Sequence, residues 1–271
     1  MSLRSLARAA LDRHSALNVA FRRHVWSRIH FPEAEMAWLH NLSGRPFDVA
    51  VDVGAALGGY AWLLDRVARR VIAFEPGQDH AEFLALGLGG TRIELERKAV
   101  GAADGSLPMY TPGDDTDARH SATLSADNPV VAAQATHVRE VPVVALDGFL
   151  AQKLAPGERL DFLKVDVEGF ENAVFEGARA RLATDHPLVL CEIEARHNAR
   201  YGEAFALLRG QGYATYVSRG GRFERFDGED IAPLQRAEDL AFRLSAAYRP
   251  GTSRYINNFL FVHPQSKFQL P

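Results

Sequence analysis

The chain has 271 residues, 47 % of them hydrophobic and 24 % charged. That length permits one or two domains with a sizeable core, and a formal net charge of -3 excludes the strongly basic character of a general nucleic-acid binder. The single cysteine, Cys191, can form no internal disulfide and sits in an apolar run, which points to a buried thiol in a reducing, cytoplasmic compartment.

In the N-terminal stretch, Leu3, Leu6, Ala10, Leu17, Ala20, Phe21 and Val25 recur at helical spacing. Arg4, Arg8, Arg13, Arg22, Arg23 and Arg28 fill the other faces. The pattern lacks the apolar core of a signal peptide, and no segment reaches the roughly 18 apolar residues of a membrane span. An amphipathic helix ordinarily packs on its own domain. Its basic faces also allow contact with a membrane surface or a partner protein. Residues 1–45 are expected to form this helical extension and residues 46–271 the main domain.

From there strands and helices alternate. VAVDV (49–53) reads as a strand, GYAWLLDRVA (59–68) as a helix, RVIAFEP (70–76) as a strand and QDHAEFLALGL as a helix. TRIELERKAVG is strand-like again, and the Gly, Pro, Asp and Ser that follow predict a hairpin and a loop. VPVVALDGFL brings a strand and a short helix, DFLKVDVEGFENAVFEGARARL a strand and a helix, and PLVLCEIE a buried strand. EAFALLRGQGY is a helix, and ATYVSR and NNFLFVHP are the last strands. This alternation predicts an α/β fold with a mainly parallel sheet and helices on both faces. Ligands in such sheets bind at the carboxyl ends of the strands, where every polar motif below falls.

The loop after the first strand carries Gly54, Gly58 and Gly59 and lets a backbone approach a ligand closely. A P-loop needs Lys and Ser or Thr after its last glycine, but Tyr60 and Ala61 follow here. The dinucleotide pattern G-x-G-x-x-G is broken by Ala56, and no tyrosine has a lysine four residues on, as short-chain dehydrogenases require. A nucleoside without a pyrophosphate fits better. Asp52 and Gly54 end the first strand, and Glu75, ahead of Pro76, ends the second. A carboxylate there can accept hydrogen bonds from two ribose hydroxyls. S-adenosylmethionine needs that combination, and its sulfonium tolerates acidic surroundings that a pyrophosphate would not.

The blocks VDVGAALGGYAWLL, VIAFEPGQDH, ERKAVGAADGSLPMY, DFLKVDVEGFENAVFEGA and PLVLCEIE resemble, in order, the motifs of FkbM-type S-adenosylmethionine-dependent methyltransferases. The block around Lys164, Asp166, Glu168, Gly169 and Glu171 is the most specific. The resemblance implies a class I methyltransferase fold, a Rossmann-like sheet of seven mostly parallel strands, and O-methylation, often of a sugar or macrolide hydroxyl. Ala56 stands where the family commonly has Asn. Cofactor binding is expected from Asp52, Gly54, Gly58, Glu75 and Pro76, with Ala99 and Val100 flanking adenine.

For the chemistry, Lys164, Asp166 and Glu168 share one face if their strand continues, and Glu192 and Glu194 end the next strand. A sugar hydroxyl needs a base, or a metal that acidifies it. Asp166 is the preferred base or orienter, with Lys164 holding its charge and Glu168 and Glu192 as partners. His197 is a second base candidate, and the oxygen-rich cluster allows magnesium. Each has a structural alternative: an ion pair for Lys164, helix-terminus charge for Glu168, and helix support for Glu171. His120, Ser121, Thr123 and Ser125 offer polar contacts to a hydroxylated acceptor if their loop folds over the site. The expected partner is a small-molecule or glycan acceptor rather than a nucleic acid. A cofactor-binding module without catalysis is the alternative from another class.

Overall fold

The computed structural model describes residues 16–28, 33–112, 122–129, 135–228, 230–243 and 254–270. Leu3, Leu6, Ala10, Arg4, Arg8 and Arg13 of the expected N-terminal helix lie outside these residues, as do His120 and Ser121.

In chain order the strands are β1 (Phe47–Val53), β2 (Ala68–Phe74), β3 (Ile93–Glu96), β4 (Ala99–Gly101), β5 (Gly105–Pro112) and β6 (Ala135–Ala145). They continue as β7 (Leu160–Val165), β8 (Leu188–Glu192), β9 (Ala214–Arg219), β10 (Arg222–Arg225) and β11 (Asn258–Val262). The helices are α1 (Ala16–Arg28), α2 (Ala34–Asn41), α3 (Gly59–Val67), α4 (Gln78–Leu86) and α5 (Leu146–Lys153). Then come α6 (Glu171–Glu176), α7 (Arg179–Asp185), α8 (Tyr201–Gly210) and α9 (Ala237–Arg243).

The main sheet has the order β3-β2-β1-β7-β8-β11-β9-β10. β1 pairs in parallel with β2 and β7, β2 with β3, and β7 with β8. β11 runs antiparallel between β8 and β9, and β10 folds back on β9. This is the class I methyltransferase order, with β10 as an eighth strand at the edge. Strand order reverses between β1 and β7, so a crevice opens at their carboxyl ends.

Side chains alternate along a strand, and a parallel sheet covered on both sides needs both faces apolar. Val49, Val51 and Val53 accordingly join one core layer with Leu146, Phe175 and Leu208. Ala50, Ala73 and Phe162 join the other with Trp62, Leu64 and Leu84. The stretch 91–101, expected as one strand, is two. Exposed Arg97 interrupts its apolar run, and β4 leaves the main sheet to pair with β6. With β5 these form a separate three-stranded sheet, β4-β6-β5, so VPVVA belongs to this smaller sheet.

Helix α1 packs on α3 and α4. Val19 is buried, Arg22 lies over the Phe83 ring, and Arg23 donates to the carbonyls of Gly87 (3.1 Å) and Gly89 (2.8 Å). Arg22 and Arg23 therefore serve packing in this segment. No helix among the described residues is long and apolar enough to cross a membrane.

Candidate active site

The crevice between β1 and β7 opens into a cleft with about 870 Å³ of empty space, continuous with solvent. Its floor is Gly54, Ala56, Glu75, Pro76, Asp166 and Glu192. Ala99, Val100, Met109, Ala122, Leu124 and Phe170 give it apolar lining, with His80 and Lys98 also on the wall. Gly54, Glu75, Pro76, Ala99, Val100, Asp166, Glu168 and Glu192 thus converge on one cavity. Asp52, Gly58 and Lys164 are not part of its lining.

The glycine loop is shaped by contacts within the protein. Gly54 has φ +81°, and a Cβ there would stand 1.8 Å from the Asp166 carbonyl oxygen. Only glycine lets the ends of β1 and β7 come so close. Gly58, also in the left-handed region at φ +89°, opens α3, and a Cβ would stand 2.5 Å from Leu84 Cδ1. Its role in this structure is helix packing rather than cleft lining.

Glu75 is buried at the end of β2. Its Oε2 accepts the Ala56 N–H and its Oε1 the Gly77 N–H, each at 2.7 Å. Burial pushes its carboxyl up to about 7, against the pull of those two donors. The carboxylate is thereby fixed at the cleft wall, and each oxygen keeps a lone pair for a ligand.

Asp52 stands apart from the cleft. Alternation puts it on the α3 side of β1, in register with Lys164 of β7. It is buried, its Oδ2 has no hydrogen-bond partner among the described residues, and desolvation pushes its carboxyl up to about 7 while Lys164 opposes. The expectation that Asp52 and Glu75 frame the pocket together is corrected: Glu75 faces the cavity and Asp52 lies beneath it.

Lys164 is 1 % exposed. Its Nζ is 3.5 Å from Asp166 Oδ2 and 4.8 Å from the centre of the Tyr60 ring. Burial pulls its ammonium down, but Asp166, Glu192 and Glu33 outweigh that and raise it. The Asp166 side chain is about a third exposed to the cleft. Desolvation pushes its carboxyl up to about 6, Lys164 opposes, and Glu168 and Glu33 raise it further. Glu192 accepts from Asn257 Nδ2, and burial first, then Asp166 and Glu33, raise it well above the ordinary carboxylate range.

The shared face of Lys164, Asp166 and Glu168 extends only to Asp166. β7 ends at Val165, and Glu168 takes φ +50°, which turns its carboxylate onto His197 Nδ1. His197 is buried beneath this loop rather than solvated. Glu171 braces the same turn: Oε1 accepts the Gly169 N–H (2.7 Å) and Oε2 the Asn198 amide (2.8 Å). Among the described residues no three His, Cys, Asp or Glu side chains are grouped to hold a metal ion, so the magnesium alternative has no donor set there.

Residues 122–129 do fold against the site, but not through their hydroxyls. Thr123 pairs by backbone with Tyr110 and its buried hydroxyl donates to the Val167 carbonyl at 3.4 Å. Asn128 Nδ2 donates to the Glu168 carbonyl at 2.8 Å. What this segment gives the cleft is apolar surface, Ala122 and Leu124.

Sequence reasoning passed over Met109, Phe170, Tyr60 and Glu33. Phe170 follows Gly169 directly and Tyr60 follows the glycine loop, so their proximity to the motifs was available as a signal. Glu33 has none, since only the tertiary fold brings it to Tyr60 and Asn258.

Residues 52–215 match the family model described as the methyltransferase FkbM domain. Comparison with curated proteins finds no match. Among solved structures, a methyltransferase FkbM from Methylobacillus flagellatus KT is similar at 15 % identity and a TM-score of 0.46. The match covers 82 % of this chain, and this chain spans only 45 % of that one. Precorrin 8w decarboxylase from Methanobacterium thermoautotrophicum is similar at 14 % identity and a TM-score of 0.42, over 84 % of this chain and 88 % of that one. Precorrin-6y C5,15-methyltransferase from Geobacter metallireducens GS-15 matches at 11 % identity and a TM-score of 0.40, over 84 % of each chain. The family model covers more than half of the sequence, from Asp52 near the end of β1 to the start of β9, and the chain therefore belongs to the FkbM family of S-adenosylmethionine-dependent methyltransferases.

Proposed function

We propose that the protein is an S-adenosylmethionine-dependent O-methyltransferase acting on a sugar hydroxyl in a glycan, a glycolipid or a glycosylated natural product. The observation that carries this reading is the placement of Asp166, a third exposed and beside Lys164, in a cleft that also carries apolar lining.

The residues present fit the cofactor. The lining of Ala99, Val100, Met109 and Leu124 offers an apolar bed for adenine. Glu75 has free lone pairs for ribose hydroxyls, and Gly54 and Ala56 line the wall that would face the methionine part. Bound S-adenosylmethionine supplies an electrophilic methyl group on a sulfonium centre.

The chain's own residues then have to orient a hydroxyl and take its proton. Asp166 accepts that proton. A carboxyl raised toward neutrality is a stronger base than an ordinary aspartate and is still ionised at pH 7. Lys164 keeps it ionised and in place. Glu192, whose carboxyl burial raises well above the ordinary carboxylate range, lines the cleft beside Asp166. Glu168, turned by His197, lines the same wall.

The test is incubation with isotopically labelled S-adenosylmethionine and an extract of the source organism, followed by mass spectrometry of the labelled product. A methyl ether on a sugar is expected. Label on nitrogen or carbon, or no label in any product, overturns the reading.

A further inference from the structure

We propose that Glu33, from the segment ahead of the sheet, is a positioning residue of the active site, held by Tyr60 and Asn258 so that its charge acts on Lys164 and Asp166. This rests on the reading of Asp166 as the base. Glu33 and Asn258 both lie outside the residues 52–215 matched by the family model, yet they meet at the edge of the site. The Tyr60 hydroxyl donates to Glu33 Oε2, and Asn258 Nδ2 donates to the same oxygen at 3.0 Å.

Tyr60 links this carboxylate to the site. Its ring carries Lys164 Nζ 4.8 Å from the ring centre, close enough for a cation–π contact, and Lys164 reaches Asp166 Oδ2 at 3.5 Å. A carboxylate tethered by two donors cannot swing into solvent, where its field would be screened. Fixed where it is, Glu33 does two things. It offsets part of the Lys164 charge, and as a like charge it disfavours ionisation of Asp166. The groups that face Asp166 are Lys164 on β7, Glu168 after it, Cys191 and Glu192 on β8, Asp52 on β1, Glu75 after β2, and Glu33. Of these Glu33 alone comes from the N-terminal segment. That segment is thereby part of the catalytic apparatus rather than an appendage to it.

The test of the coupling itself needs no acceptor. In the full chain labelled with ¹³C-aspartate, the Asp166 carboxyl is followed by NMR against pH, its signal identified by its loss in Asp166→Asn. Glu33→Gln keeps an oxygen for both donors and removes the charge. The Asp166 midpoint should fall by about half a pH unit or more, because removing a nearby like charge favours the ionised carboxyl. Glu33→Asp, which keeps the charge, should stay closer to wild type than Glu33→Gln does. Tyr60→Phe, which keeps the ring but releases the tether, should move the midpoint in the same direction as Glu33→Gln. This second variant decides the matter if Glu33→Gln does not fold. An Asp166 midpoint unmoved in whichever of the two folds overturns the proposal. If the midpoint moves but Asp166→Asn turns over the acceptor at the wild-type rate, the base reading fails and the coupling to Glu33 stands.

Discussion

Replacing Gly54 by alanine tests the closest approach in the site. The residue sits at φ +81°, and the added Cβ would stand 1.8 Å from the Asp166 carbonyl oxygen and 2.9 Å from its carbonyl carbon. That carbonyl belongs to backbone pinned by the Asp166 N–H to Val53 O bond of 2.9 Å, so relief requires parting the ends of β1 and β7. A left-handed backbone costs a residue with a Cβ about 1–2 kcal/mol, and overpacking costs about 1–3 kcal/mol. The sum is roughly 2–5 kcal/mol, a large share of the ~5–15 kcal/mol that keeps a domain folded. Gly157 supplies the control. Its φ is +89°, yet nothing lies within 4 Å of an added Cβ, so Gly157→Ala carries only the backbone cost of about 1–2 kcal/mol. Urea denaturation of both variants separates the two contributions. Calorimetry with S-adenosylhomocysteine should show Gly54→Ala binding at least about 10-fold more weakly, a loss of ~1.4 kcal/mol, and Gly157→Ala binding as wild type does. If Gly54→Ala costs no more stability than Gly157→Ala, the close approach does not explain the glycine and the reasoning fails.

Glu75→Gln aims an amide N–H at one of two backbone donors and removes a charged acceptor. Loss of such a bond is worth about 1.5–3 kcal/mol, so S-adenosylhomocysteine affinity should drop roughly 10- to 100-fold by calorimetry; unchanged affinity would remove Glu75 from the cofactor site. Asp166→Asn should lower turnover on the true acceptor by about 10²-fold or more while leaving S-adenosylhomocysteine bound, and wild-type turnover would dismiss Asp166 as base. His263 stacks on His186 at 4.0 Å between ring centres, and desolvation, then His186, holds its imidazole below the ordinary value. A histidine lowered in the folded state contributes stability above its unfolded value of about 6.5 and loses it as pH falls through the folded value. Urea midpoints measured from pH 7.5 down to 5 should therefore fall less in His263→Phe than in wild type; parallel curves would show that the stack does not titrate.

Much of the fold was legible because its causes are local. The apolar run of β1 and the helical pattern of α3 are written in adjacent residues, and Gly54 marks the turn between them. The motifs at the strand ends could be assigned to one side of the sheet because a parallel sheet puts all its carboxyl ends together. β4 was not separable from β3, since only the partner strand β6, some forty residues on, shows that it has changed sheets. Glu168 leaves the face of Lys164 and Asp166 because β7 stops at Val165 and the backbone is left-handed at Glu168, although its side chain still lines the cleft. Thr123 was read as a ligand contact, whereas its hydroxyl is spent on Val167.

By itself, the sequence determined the strand–loop–helix units, the glycine that the first loop requires, and the acids that stand at the strand ends. Those depend on periodicity and on backbone freedom, which neighbouring residues set. Which acid faces the cavity was decided by the tertiary structure alone. Asp52 and Glu75 are equivalent in sequence, each the acid at the end of its strand, yet helix packing puts the first under α3 and leaves the second on the cleft wall. Glu33 reaches Tyr60 and Asn258, 225 positions away, because the sheet order places their elements together. The field at Asp166 is a sum over such neighbours, and no local pattern contains it.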